Sequence, residues 1–169
     1  MDFSKILGVI KVYQGAPKES IIALEASMNM AFPEDYKIFL RYSDGLYLEN
    51  GVSLYSANEI IERNTTYEIS DYCEGFLLIG DDSGGRGFLI NVQKSGSKVY
   101  NSGFGDLNPP DFRTVANSFQ EWVENGFVIP DYQTLNSDQI GQYKEPSLKC
   151  RNAEERLIRH GLKKTMTIM

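Results

Sequence analysis

The segment from Phe32 to Gly45, FPEDYKIFLRYSDG, constrains the fold of this chain more than any other part of its sequence. Pro33 suits the first turn of a helix, where its missing N–H is not needed, and the two acids after it suit the positive end of the helix dipole. Three apolar residues then share one helix face at the i, i+3, i+4 spacing: Tyr36, Phe39 and Leu40. Gly45 can adopt the left-handed conformation that ends a helix. The segment therefore predicts an amphipathic helix with one buried face.

The flanking sequence predicts a second helix and several strands. Residues Lys18–Met30 carry an apolar stripe at helical spacing, so the segment predicts a helix immediately before Phe32. Asn50–Gly51 is typical of a hairpin turn inside Leu46–Tyr55. Three short apolar runs with Gly-rich turns between them predict an antiparallel meander: Phe76–Ile79, Phe88–Val92 and Lys98–Asn101. The pattern as a whole indicates an α+β fold with a mostly antiparallel sheet.

Two capping patterns mark further helices. Ser56 with Glu59 predicts a capping box that opens a short helix over Asn58–Arg63. Ser118 with Glu121 predicts a second box, opening a helix that carries Phe119, Trp122 and Val123 inward. The Gly- and Pro-rich residues between them, Asn101–Arg113, predict a loop.

The composition of the sequence changes after Phe127. The length of 169 residues suits one domain with an appendage, so we predict a domain over residues 1–127 and an extension over 128–169 with a basic helix. Residues 144–169 contain seven Lys or Arg and three Glu, a charge of +4, so residues 1–143 carry −10 of the total of −6. This acidic body repels phosphate backbones, which argues against a nucleic-acid partner and favours a basic protein.

The sequence predicts a cytoplasmic protein that does not bind membranes. No apolar run approaches the length of a membrane span, and the N-terminal residues do not resemble a signal peptide because Asp2 and Lys11 interrupt them. The two cysteines, Cys73 and Cys150, are too few for a disulfide framework and are interpreted as free thiols.

No catalytic, cofactor-binding or metal-binding residues are predicted. Gly80–Gly87 lacks the Lys-Ser or Lys-Thr of a phosphate loop, so it is interpreted as a tight hairpin. The spacing of Asp81, Asp82 and Asp106 matches no calcium loop. Cys73 has no basic neighbour, and the acids at 71 and 74 are expected to raise its pKa. We therefore predict that the chain is not an enzyme.

Four stretches in order carry a resemblance to a known family: ESIIALEASMNMAFPEDYKIFLRYSDG, SLYSANEI, LLIGDDSGGRGFLINV and VANSFQEWVENG. Together they run from Glu19 to Gly126 and resemble the SUKH superfamily, which groups bacterial toxin-immunity proteins with fungal cell-wall assembly regulators. Phe32–Pro33 departs conservatively from the Leu-Pro that commonly opens the second helix in that family. The matching positions are turn glycines, caps and core residues, so they define a scaffold.

The resemblance implies a fold with helices packed on a mostly antiparallel sheet. It also implies that a bacterial member binds and neutralises a toxin domain, often a nuclease. The leading hypothesis is therefore an immunity protein whose partner is a toxin with a basic surface. The alternative is a regulatory or scaffold protein in cell-envelope or cell-wall assembly; the absence of long flanks in this sequence favours the immunity role.

The predicted partner-binding residues lie in an acidic run, because residues 58–82 hold seven acids and one base. An acidic surface would resemble the phosphate substrate of a nuclease, although the run could equally be a solvated face. The tyrosines could be contact anchors or half-buried packing residues. The nine are Glu59, Glu62, Tyr67, Glu68, Asp71, Tyr72, Glu74, Asp81 and Asp82. For the basic extension three roles stay open: packing on the acidic body, weak self-association, or contact with a partner.

Overall fold

The computed structural model describes residues 1–93 and 96–130 of the chain. Residues Met1–Pro130 form one compact unit. The basic helix of the extension and Cys150 lie outside the described residues, so the boundary between residues 127 and 128 stays a prediction.

Pairs of helices and runs of strands follow one another along the described residues in an α+β arrangement. The helices are α1 (Lys18–Met28), α2 (Glu34–Tyr42), α3 (Ala57–Thr66), α4 (Ile69–Tyr72) and α5 (Phe119–Glu124). The strands are β1 (Val9–Val12), β2 (Leu46–Leu48), β3 (Ser53–Leu54), β4 (Phe76–Asp81), β5 (Arg86–Asn91), β6 (Val99–Gly103) and β7 (Arg113–Ala116). They form one sheet in sequence order, and every pairing is antiparallel. The predicted α+β fold with a mostly antiparallel sheet is confirmed.

The α2 helix buries the face that the sequence predicts. Tyr36 and Phe39 are fully buried, and Asp35 Oδ1 accepts a hydrogen bond from the Tyr36 N–H at 2.9 Å. The helix ends earlier than predicted, because Ser43 is already extended. Gly45 has a φ of +100° and leads into β2, where an L side chain would be strained.

Helices α1 and α2 are joined by one carboxylate. Glu25 accepts a hydrogen bond from the Phe32 N–H at 2.6 Å and lies 3.7 Å from the Lys37 ammonium group. The α1 helix ends at Met28 instead of Met30, because Asn29 adopts the left-handed conformation with a φ of 50°. This turn directs the chain into the second helix.

An aromatic cluster joins α2, α5 and the sheet. The Phe119 ring lies 5.1 Å from Tyr36, and Trp122 lies 4.7 Å from Phe88 of β5. Asp35 accepts a hydrogen bond from the Gln120 N–H at 3.0 Å, so a carboxylate in the first turn of α2 also holds the start of α5. Such aromatic contacts bury large areas and fix the orientation of the packed helices.

One strand is missed by the sequence prediction, and two local predictions are wrong. Strand β1 is not predicted, because its short apolar run carries a lysine in the middle. Residues 101–113 are not loop throughout: β6 continues to Gly103, a 3₁₀ turn spans Pro109–Asp111, and β7 starts at Arg113. The second capping box is half formed, since Ser118 caps the Glu121 N–H, but Glu121 accepts from the N–H of residue 117 instead of Ser118.

Candidate functional site

The N-terminus of α3 is held by two carboxylates. Ser56 Oγ accepts from the Glu59 N–H at 3.4 Å, while Glu59 Oε2 accepts from the Ser56 N–H at 2.8 Å, which confirms the predicted capping box. Asp44 Oδ1 accepts from the Ala57 N–H at 2.7 Å. Glu59, one of the predicted partner-binding residues, is therefore already engaged in holding its own helix.

Asn64 attaches α3 to the sheet. Strand β3 contains only two residues and ends opposite Gly80, so the earlier residues of β4 lack a neighbouring strand on that side. The Asn64 side chain fills this place: its Nδ2 donates to the Leu78 carbonyl at 2.7 Å, and its Oδ1 accepts from the Leu78 N–H at 2.9 Å. One buried amide therefore satisfies both backbone groups that a strand would satisfy.

Three of the predicted acids form an exposed set, which we call the acidic surface: Glu62 on α3, Asp71 on α4 and Glu74 in the following turn. Within the described part of the chain, none of the three belongs to an ion pair. Among their carboxylates, only that of Asp71 has a described hydrogen bond, which it accepts from the neighbouring Ser70 hydroxyl at 3.3 Å. Their charges are thus directed to solvent and are available to a partner.

The predicted tyrosines and Glu68 are half-buried. Tyr67 stacks on Phe104 with ring centroids 4.2 Å apart and planes 6° apart. Phe104 in turn lies against Gly87 of β5, where an added Cβ would come within 2.8 Å of the ring. Glu68 has a φ of 51° in the turn between α3 and α4, and Tyr72 ends α4. Tyr67 therefore has a packing role.

Asp81 and Asp82 lie in the β4–β5 hairpin and bind its backbone. Asp82 Oδ1 accepts from the N–H groups of Gly84 and Arg86 at 2.8 and 2.9 Å. Asp81 accepts from the Ser83 N–H at 2.8 Å and from the Tyr55 hydroxyl at 2.6 Å. The hairpin interpretation of the Gly-rich segment is confirmed, and both carboxylates serve to shape the turn.

Tyr55 connects this hairpin to α3. Its ring lies 5.8 Å from the guanidinium carbon of Arg63, the one base of the acidic run. Burial, followed by the hydrogen bond to Asp81, raises the pKa of the Tyr55 phenol far above its usual range. The structure thus brings Asp81 close to α3 through Tyr55.

The described residues contain no group of three or more His, Cys, Asp or Glu side chains that could hold a metal ion. A groove of about 500 Å³ lies beside Phe32, Pro33 and Ser97, but its polar groups are engaged: Ser97 Oγ donates to Asp35 and accepts from the Phe119 N–H. Burial raises the pKa of the Cys73 thiol to about 11. The direction agrees with the sequence prediction, but the cause is burial and not the neighbouring acids.

A second surface was missed by sequence reasoning. Five large apolar side chains are exposed within seven consecutive residues, which we call the β1 edge: Leu7, Val9, Ile10, Val12 and Tyr13. Leu7 is 80% exposed and Ile10 is 55% exposed. No other described strand pairs with the outer side of β1. The sequence signal for this surface is the apolar run itself, in which Lys11 is the one charged residue between Leu7 and Tyr13.

Comparisons with known proteins agree with this architecture. A model of the SMI1 / KNR4 family (SUKH-1) matches residues 15–125, which include all five helices and β2 to β7 but not β1. The uncharacterized protein YnaB of Bacillus subtilis (strain 168) is 31% identical over 113 residues, covering 64% of this chain and 74% of that protein. No helix in the described residues has the length and apolar character needed to cross a membrane. The family is known for non-enzymatic immunity and regulatory roles. By the extent of the family match, this chain belongs to the SMI1 / KNR4 (SUKH-1) family.

Proposed function

We propose that this protein is a non-enzymatic immunity protein of the cytoplasm that binds a toxin domain with a basic surface and blocks the access of substrate to it. The acidic surface supports this proposal, because no described hydrogen bond joins its three carboxylates to the backbone of a helix cap or a hairpin turn. Glu59, Asp81 and Asp82 are engaged in caps and turns. Glu62, Asp71 and Glu74 are exposed and unpaired by any described base.

Electrostatic complementarity would serve this function in two ways. A nuclease presents a basic cleft to phosphate, and exposed carboxylates would occupy that cleft as phosphate groups do. The acidic excess of the body would also increase the rate at which the two proteins meet. The cognate toxin is therefore expected to show strongly salt-dependent association.

The test is a binding and protection experiment with each toxin domain that is found in the genes adjacent to this one. We expect the wild-type protein to restore growth of cells that express the toxin. The triple variant Glu62→Lys, Asp71→Lys, Glu74→Lys should bind about tenfold to a hundredfold more weakly, with the difference shrinking at high salt.

Single reversals separate a local effect from a change in net charge. Glu19→Lys alters the charge by the same amount as Glu62→Lys but lies at the start of α1, so it serves as the matched control. Equal affinity of wild type and triple variant would refute the acidic surface as the binding site. Failure of the wild-type protein to bind or protect would refute the immunity role and favour a regulatory or scaffold function.

A further inference from the structure

The β1 edge differs from the opposite edge of the same sheet. The outer strand β7 begins with Arg113 and Thr114 as exposed residues, and charged or polar side chains are a common way to prevent unwanted strand pairing. All four residues of β1 are exposed, and three of them are Val or Ile. An exposed apolar edge of this kind is a template for a further strand.

The backbone of β1 offers hydrogen-bonding groups on its outer side. Tyr13 directs its N–H and its C=O to Ser43 Oγ, at 3.1 and 3.2 Å. Because neighbouring residues of a strand direct these groups to opposite sides, Val12 directs its N–H and C=O away from β2. The register shift between Val9 and Lys11 bends the strand at Ile10, so the regular part available for pairing begins at Lys11.

The charge of this region points to the chemistry of the partner. Residues 3–18 contain Lys5, Lys11 and Lys18 and no acid, a charge of +3, so the other 153 residues carry −9 of the total of −6. The exposed Glu49 carboxylate lies beside Gly8, whereas Lys11 pairs with Tyr47. The Lys11 ammonium group lies 4.4 Å from the centre of the Tyr13 ring, on the exposed face that Lys11 shares with Tyr47 of β2. A second copy that paired at this edge would bring two positive segments together, which is unfavourable. A strand with acidic side chains would instead bring opposite charges together.

We propose that the β1 edge binds an extended segment of a partner protein in which acidic and apolar residues alternate, added to the sheet as an eighth strand. Backbone hydrogen bonds at Val12 supply the pairing. Lys11 selects acidic side chains, and the apolar neighbours of β1 cover the alternate positions. The β1 edge shares no residue with the acidic surface. It attracts an acidic partner, whereas the acidic surface attracts a basic one.

The experiment measures binding of short fluorescein-labelled peptides to the full-length protein. One peptide alternates Glu with Val, a second has Lys in place of Glu, and a third is the Glu peptide with alternate backbone amides N-methylated. We expect the Glu peptide to bind at least about tenfold more tightly than either of the others. Its binding should slow amide hydrogen exchange in residues 7–13.

Two protein variants test the residues. Lys11→Glu should weaken binding of the Glu peptide about tenfold and strengthen binding of the Lys peptide. Lys98→Glu is the matched control, because Lys98 also lies over a tyrosine ring, 5.5 Å from the centre of Tyr100, and it should change neither affinity by more than about twofold. Val12→Pro, which edge strands tolerate, should abolish binding of the Glu peptide. If that variant does not fold, the N-methylated peptide supplies the backbone test.

Three results would overturn the proposal. The first is equal binding of the Glu and Lys peptides, and the second is that the Glu peptide protects only amides that lie outside residues 7–13. The third is a wild-type dimer that Lys11→Glu does not alter and that Val12→Pro makes monomeric. The last result would identify a second copy as the occupant. The acidic-surface triple variant should bind the Glu peptide normally, so this test and the toxin test fail independently.

Discussion

Two stretches of strand backbone without a neighbouring strand, one on β4 and one on β1, are treated in opposite ways. At β4 the gap beyond the two-residue β3 is closed by the Asn64 side chain, which binds both backbone groups of Leu78. At β1 the outer side is left open and lined with apolar residues. The first solution fixes α3, which carries Glu62 of the acidic surface. The second leaves a strand that can accept another.

This difference explains how one small domain can present two surfaces of opposite character. The acidic surface comprises Glu62 on α3, Asp71 on α4 and Glu74 in the following turn, and the Glu59 cap and the Asn64 bridge hold α3 in place. The β1 edge lies outside the residues that the family model matches, whereas the acidic surface lies within them. The contrast between a closed edge and an open edge can be tested through stability.

The largest expected effect is at the closed edge. Asn64→Ala should lower the free energy of unfolding by about 2–4 kcal/mol, because it leaves the Leu78 N–H and C=O buried without partners. Asn64→Asp replaces the donor with a carboxylate that faces the Ile60 and Leu78 carbonyls, so it should lower the free energy of unfolding at least as much as Asn64→Ala. Urea unfolding measures both, with Thr65→Ala on the exposed side of α3 as the control. A loss below that of the control would contradict the edge-closing role.

A smaller effect is expected where the hairpin meets α3. Tyr55→Phe removes the hydrogen bond to Asp81 and should lower the free energy of unfolding by about 1–2 kcal/mol near neutral pH. Because folding raises the pKa of this phenol, the folded state favours the protonated form, and the stabilisation is lost as pH rises above the ordinary value of 10.0.

Urea unfolding at about pH 8 and about pH 11 therefore checks the prediction in two ways. The wild-type protein should lose more stability than Tyr55→Phe over this range. The remaining alkaline loss in the variant is expected from Tyr36, whose phenol pKa burial also raises, and from Cys73, whose folded pKa of about 11 has the same sign of effect. Parallel losses in the two proteins would show that Tyr55 is not coupled to folding.

The smallest effect is expected at the open edge. Ile10→Thr keeps a β-branched side chain and should change the free energy of unfolding by less than about 0.5 kcal/mol, because the residue is already 55% exposed. The same substitution at a buried strand position, Ile90→Thr, provides the contrast and should cost several times more. A loss above about 1 kcal/mol at Ile10 would indicate that this edge is covered in the intact protein.

The sequence predicted the parts of this protein that depend on neighbouring residues. The α2 face, the Ser56 capping box, the hairpin turns and the central meander follow from spacing and backbone preference over a few positions, and they were enough to identify the fold and the family. The nine candidate contact residues were also selected from local composition. Their charges are visible in the sequence, but the partners of those charges are not.

Only the tertiary structure separated these residues by role. Glu59, Asp81 and Asp82 are engaged with backbone amides, Tyr67 packs on Phe104, and the exposed set is Glu62, Asp71 and Glu74. Asn64 acts on a strand fourteen residues away, and β1 becomes an edge only because β2 pairs with one side of it. Hydrogen-bond satisfaction and edge exposure depend on which segments meet, so local sequence determined the elements of this protein and their assembly determined which surfaces remain open.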